Sequence, residues 1–177
     1  MRIVGRVALG LLTLIVVLMG VAYLLPRNVE VTRSATIDAP PEAVFPYVNS
    51  LQETARWSPW LDIDPEVAVT YSGPEAGVGN RMEWTSSDPQ VGSGSQEIVE
   101  SEAPSHVRSD LDFGAMGTAD AWFDLSPSAS GTEVTWGLNA DMGNAPLGRW
   151  MGLMMDNWVG ADYERGLARL KDLVEAG

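Results

Sequence analysis

The sequence predicts an α+β domain in which a curved antiparallel sheet wraps one long C-terminal helix. An alternating segment and two short helical segments come first, after an apolar N-terminal run. A series of short alternating segments follows, separated by turn residues, which is typical of antiparallel strands with one solvated face. The C-terminal segment then changes to a helical period. This order of elements favours a sheet packed against a single helix.

The first element is an uncharged apolar run from Val7 to Leu25. As a helix, its roughly 19 residues would span about 28 Å, close to the ~30 Å hydrocarbon core of a bilayer. The alternative is a cleaved signal peptide, whose apolar region normally has about 7–15 residues. Because the run continues to Leu25, we predict an uncleaved single transmembrane helix. The predicted organisation is a membrane anchor over residues 1–27 and a domain over residues 28–177.

Basic residues flank this run unequally. Arg2, Arg6 and the N-terminal amine precede it, whereas Arg27 and Arg33 follow it with Glu30 between them. The positive-inside rule therefore predicts a single-pass cell-membrane protein with a cytoplasmic N-terminus and an extracytoplasmic domain.

The composition excludes several classes of function. The chain has 24 acidic and 11 basic residues and a net charge of −13, and leaving out Arg2 and Arg6 makes it −15. Such a surface repels phosphate, so we predict no nucleic-acid partner. The chain has no cysteine and a single histidine, His106. Cysteine chemistry is thereby excluded, and we predict neither a metal site nor a cofactor.

The domain begins with a strand and two short helices. Residues 29–37 alternate and are rich in β-branched side chains, which predicts the first strand. Pro41 suits the first turn of a helix, and apolar residues recur at helical spacing after it. Pro46 limits that helix to its early turns or kinks it. A second short helix is predicted over residues 51–56.

Short strands then occupy the middle of the chain. On each of them the large apolar residues share one face, which we predict to point towards the helix. They are Val67, Val69 and Tyr71; Met82 and Trp84; Val107, Leu111 and Phe113; Ala119, Ala121, Phe123 and Leu125; and Val134, Trp136 and Leu138. Trp122 is out of phase with Phe123, so we expect it on the outer face.

The last element is a long helix beginning near Pro146. Its apolar residues are interpreted as one stripe from Leu147 through Trp150, Met154 and Trp158 to Val174. Glycines lower the helix propensity of its middle, so we expect a bend near Gly160.

Motifs spread along the domain resemble those of the START-like (SRPBCC) superfamily, specifically its polyketide cyclase/dehydrase and lipid-transport branch. The resemblance covers about residues 30 to 175. The matching segments are Ile37-Asp38-Ala39-Pro40-Pro41-Glu42-Ala43-Val44-Phe45, Trp57-Ser58-Pro59-Trp60, Tyr71-Ser72-Gly73-Pro74, Gly77-Val78-Gly79, Gly131-Thr132-Glu133-Val134-Thr135-Trp136 and residues 162–171. The resemblance implies a helix-grip fold with a cavity between sheet and helix. It also implies binding of apolar or amphipathic small molecules, in some members with cyclase or dehydratase chemistry.

Seven tryptophans and eight methionines give the domain large and adaptable apolar surfaces. We predict that part of this set binds a ligand, although core packing is the alternative for each member and bracing of the short helices is the alternative for Trp60. The candidate ligand-binding residues are Trp84, Trp136, Trp150, Met154, Trp158, Met82, Phe113, Trp60 and Tyr71.

No pattern of catalytic residues accompanies these apolar side chains. We therefore predict a membrane-anchored domain that binds a hydrophobic small molecule or lipid without catalysis. One alternative is a cyclase- or dehydratase-type enzyme, which would need a titratable group in the cavity. Its candidates are Tyr71, Asp141 and Asp62. The other alternative is a structural envelope protein whose interior is filled.

Overall fold

The computed structural model describes residues 2–89 and 91–177 and confirms the predicted fold class. Its seven strands form one sheet in which all neighbours are antiparallel. They are β1 (Asn28–Ile37), β2 (Ala68–Ser72), β3 (Arg81–Thr85), β4 (Ser93–Glu102), β5 (His106–Asp112), β6 (Thr118–Ser128) and β7 (Gly131–Asp141). The spatial order β1-β7-β6-β5-β4-β3-β2 places the first two strands at opposite edges.

The helices follow the order along the chain that the sequence predicts. They are α1 (Arg2–Ala22), α2 (Pro41–Val48), α3 (Leu51–Thr54) and α4 (Pro146–Glu175), and one-turn 3-10 helices cover Trp60–Asp62 and Gly114–Met116. Pro46 lies inside α2, which is only eight residues long. In α1, residues 4–22 have a mean hydropathy of 2.3, so by length and composition this helix could cross a membrane.

The hairpin between β6 and β7 is tighter than the sequence suggests. Residues 126–131 combine serine, proline and glycine, which predicts a loop, but β6 continues to Ser128 and β7 begins at Gly131. Pro127 pairs with Thr132 within the ladder. His106 begins β5, and its Nδ1 is 2.7 Å from Oδ1 of Asp124.

The interpretation of α4 as carrying one apolar stripe is wrong. Its second half buries Tyr163, Leu167 and Leu170 against the core, whereas its first half exposes Leu147, Met151, Met154 and Trp158. Five residues separate Trp158 from Tyr163, and at 3.6 residues per turn they rotate the side chain by about 140°. The two halves of the sequence pattern therefore lie on different faces of the helix.

α4 packs mainly along β1, and an inward-pointing arginine holds its middle in place. Arg33 donates from Nε to Glu164 and from Nη1 to Asp156, both at 2.9 Å. A Cβ at Gly160 would overlap with the Arg33 guanidinium. Glycine at this position therefore lets the arginine reach across the helix. α4 is a single uninterrupted helix through Gly160, the position where the sequence suggests a bend.

Candidate ligand groove

The concave face of the sheet carries a continuous row of side chains from one edge to the other. Residues that pair directly across strands share a face. The register gives the row Tyr71, Met82, Gln96, Leu111, Ala119, Ala140 and Val29, from β2 to β1. Ala119 and Ala140 are buried, whereas the side chains from Tyr71 to Leu111 are only half-buried. Side chains in this row are therefore more completely buried on β6 and β7 than on β2 to β5.

One end of that space is filled by four aromatic rings. Trp136 stacks on Tyr163 of α4 with centroids 3.8 Å apart, and it also contacts Trp57 at 5.2 Å and Phe123 at 5.1 Å. Trp57 is fully buried, and its Nε1 donates to the carbonyl oxygen of Tyr47 at 3.1 Å. Such ring pairs stabilise a fold beyond the area they bury. At this filled end Trp136 is 5% exposed, with its ring enclosed by the three others.

The other end is an open groove, which we define by Tyr71, Met82, Trp84, Gln96 and Phe113. All five side chains are half-buried, and the rings of Trp84 and Phe113 meet edge to face at 5.9 Å. A Cβ at Gly94 would lie 2.5 Å from Cζ2 of Trp84, so this glycine lets the indole lie against β4. The groove thus has an aromatic wall on the side away from β1.

The first half of α4 lies at the opposite edge of the sheet, beside β1. Met155 packs against the core, and Met151 and Trp158 lie one helical turn to either side of it on the same face. Met154 and Trp158 remain 45% and 50% exposed. α4 makes most of its sheet contacts with β1, at the edge opposite β2 and β3. The side chains of the open groove stay partly exposed to solvent, and Met82 is the flexible one among them.

A polar pair lies on the floor of the open groove. Gln96 donates from Nε2 to Oγ of the buried Ser109 at 2.7 Å. Tyr71 lies in the same row beyond Met82, and burial raises the pKa of its hydroxyl, so the phenol stays neutral. Sequence reasoning missed Gln96. The available signal was its position two residues before the buried Ile98, which places it on the inner face of β4.

The predicted ligand-binding residues divide into separate groups. Tyr71, Met82, Trp84 and Phe113 line the open groove, whereas Met154 and Trp158 lie on the exposed face of α4. Trp136 belongs to the filled end. Trp150 turns towards α1, where its Nε1 donates to the carbonyl oxygen of Leu18 at 3.2 Å. Trp60 is 37% exposed on its 3-10 turn.

Both carboxylates considered for catalysis form surface ion pairs. Asp141 accepts hydrogen bonds from Arg27, at 2.7 and 2.5 Å, and this lowers its pKa to about 2. Asp62 pairs with Arg169 at 2.5 Å. Within residues 2–89 and 91–177, no group of three His, Asp or Glu side chains could hold a metal ion.

Two further hollows lie away from the open groove. One of about 510 Å³ is on the convex face of the sheet, beside Arg81, Glu97 and Asp120. The other, of about 500 Å³, lies between α2, α3 and Glu75. Neither includes a residue of α4, so neither is the space between sheet and helix.

A sheet that holds one long helix, with an aromatic groove left open beside it, defines a helix-grip protein of the START-like class. The chain belongs to the family described as polyketide cyclase / dehydrase and lipid transport, whose model matches residues 28–175. This confirms the family resemblance seen in the sequence. No curated protein matches the chain.

Several solved structures share the fold. A protein from Chromobacterium violaceum is 18% identical with a TM-score of 0.58, over 85% of this chain and 99% of its own. A protein from Arthrobacter aurescens is 20% identical with a TM-score of 0.57, over 81% and 87%. The di-domain ARO/CYC StfQ from the steffimycin biosynthetic pathway is 10% identical with a TM-score of 0.62, over 84% of this chain and 51% of StfQ.

Proposed function

We propose that this protein binds a hydrophobic or amphipathic small molecule in the open groove while α1 anchors it in a membrane. The observation that carries the proposal is the unequal filling of one continuous concave face. At one end four aromatic rings are packed together, and at the other Trp84, Phe113 and Met82 are only half-buried. Apolar, concave surfaces of this kind are typical of small-molecule sites.

The side chains of the groove favour a lipid- or polyketide-like ligand with one polar group. Its walls are aromatic rings and methionine, which accommodate a chain or ring of variable shape. Its floor offers the amide of Gln96 and the hydroxyl of Tyr71 as hydrogen-bonding groups. A few polar groups in an apolar site fix the orientation of a ligand.

The proposed anchor is α1, with the domain on the extracytoplasmic side. The length and hydropathy of residues 4–22 suit a single crossing. Arg2 and Arg6 lie at its start and favour a cytoplasmic N-terminus. A membrane-anchored groove would take its ligand from, or return it to, the lipid phase.

Binding without catalysis is preferred over a cyclase-type reaction. Asp62 and Asp141 are occupied by arginines at the surface. Tyr71 alone among the three candidates lies in the groove, and it can donate a hydrogen bond but does not ionise at neutral pH. The open groove also argues against a purely structural domain with a filled interior.

The test is retention of ligand by the full chain purified in a mild detergent. We expect mass spectrometry to recover bound compounds after incubation with a lipid extract and washing, and much less from Trp84→Ala. The matched control is Trp122→Ala, because Trp122 lies on the convex face over Gly137. Lipid retained around α1 is common to all three proteins and cancels in the comparison. Equal retention by Trp84→Ala and the wild type would contradict the proposal, as would recovery of no compound from the wild type.

A further inference from the structure

We propose that the first half of α4 is a second membrane contact, which lies in the headgroup region of the bilayer that α1 enters. The contact surface, here called the α4 stripe, consists of Leu147, Met151, Leu153, Met154 and Trp158. This inference rests on the membrane anchor in the proposed function and extends it to the orientation of the domain on the bilayer.

The α4 stripe is unusually exposed for its chemistry. Leu147 is 71% exposed, and Met151, Met154 and Trp158 follow it at intervals of four, three and four residues. The face of the same helix that contains Gly152, Val159 and Tyr163 is buried against the domain. An exposed row of large apolar side chains marks a contact surface for another apolar phase.

Contacts between α4 and α1 place this row beside the membrane helix. Arg149 donates from Nη1 to the carbonyl oxygens of Leu25 at 2.8 Å and Tyr23 at 3.4 Å, so it binds the segment that directly follows α1. The neighbouring Trp150 donates to Leu18, and Ala22 is fully buried. Twelve residues of α4 beyond Pro146 extend only about 18 Å, so the whole stripe lies near the point where α1 would leave the bilayer.

The charges around the stripe suit a lipid surface. From Met142 to Met155 the chain has no acidic residue, although it has 24 in total, and its single charge there is Arg149. The next carboxylate, Asp156, is held by Arg33 at 2.9 Å. Arginine and tryptophan at a helix end are typical of the membrane–water interface, where both can place a polar tip in water.

This placement sets how the domain lies on the bilayer. With α1 and the α4 stripe in the same lipid surface, β1 is the strand of the sheet nearest the membrane, because α4 packs along it. The alternative occupant of the stripe is a second copy of the chain, which the experiment below distinguishes.

The absence of native cysteine allows the test to be made with single-cysteine variants of the full chain. An environment-sensitive fluorophore is attached at Met154→Cys, or at Leu147→Cys as a second position on the stripe. Leu14→Cys reports the anchor, and Ser128→Cys at the opposite end of β6 is the control outside the membrane. Each protein is reconstituted in vesicles of phosphatidylcholine and phosphatidylglycerol in equal parts, with nitroxide-labelled lipid or aqueous iodide as quencher.

We expect nitroxide near the lipid headgroups to remove most of the fluorescence at positions 154 and 147. Nitroxide deeper in the bilayer should do the same at position 14. Neither should change the fluorescence at position 128. Quenching of 154 and 147 by iodide, with position 14 still in lipid, overturns the inference and leaves the anchor intact. Protection of 154 and 147 from both quenchers assigns the stripe to a second copy and also overturns it. Quenching of position 14 by iodide refutes the anchor itself, and the inference with it.

Discussion

The same substitution at two tryptophans of the concave face should have unequal effects on stability. Trp136 is 5% exposed and contacts three aromatic rings, whereas Trp84 is half-buried and has one ring contact, with Phe113. Replacing a fully buried tryptophan by alanine costs about 3–5 kcal/mol of unfolding free energy. We therefore expect a loss of that size for Trp136→Ala. For Trp84→Ala the loss should be smaller, because part of its side chain is already in water and only Phe113 contacts its ring.

The measurement is urea-induced unfolding of the full chain in detergent, followed by far-ultraviolet circular dichroism. The helix α1 contributes the same signal to each variant, so the difference between variants reports the domain. The contrast also has a functional side, since only Trp84→Ala should reduce ligand retention out of proportion to its stability loss. A loss for Trp136→Ala no larger than that for Trp84→Ala would refute the division into a filled end and an open groove.

Two further predictions concern packing and charge. Gly166→Ala should lower the unfolding free energy by about 1–3 kcal/mol in the same urea assay, since its Cβ would lie 2.7 Å from Cζ3 of Trp136, whose ring is held by Tyr163. A gain in stability would show that helix propensity outweighs this overlap. Asp141 should titrate with a pKa of about 2 by nuclear magnetic resonance, and Arg27→Gln should return that pKa towards 3.8. Because the pKa of Asp141 is lower in the folded than in the unfolded state, the ion pair contributes its full stability above pH 3.8, and this contribution is lost as the pH falls through about 2. An unchanged pKa of Asp141 in Arg27→Gln would contradict the pairing.

Much of the fold could be predicted because its strands have one wet face. Alternation placed Phe123 inward and Trp122 outward, and both positions agree with the register. The pattern of apolar residues in α4 was less informative. Trp158 and Tyr163 were placed in one stripe because both are apolar, although their side chains point about 140° apart around the helix axis. Which half of the helix contacts the domain depends on its packing against β1, and this is a tertiary property.

The candidate site could be predicted only in part for the same reason. Trp84 and Trp136 occupy equivalent positions in alternating strands, yet only one of them meets Trp57 and Tyr163. Those partners come from distant segments of the chain, so no local pattern shows which tryptophan will be enclosed. Gln96 was missed because a polar residue in an inner position looks like an ordinary surface residue until its cross-strand neighbours are known.

The ion pairs of Arg33 have a consequence for ligand selection. α4 is supported at three points along its length, by Arg149 at its start, by Arg33 in its middle and by the stacking of Tyr163 on Trp136 beyond it. A helix held at three points moves little relative to the sheet. The distance between α4 and the sheet is therefore nearly constant. Adjustment to molecules of different breadth then falls to the rotamers of Met82, the most flexible side chain of the open groove. Selectivity should accordingly be broad for the shape of an apolar body and narrow for its overall thickness.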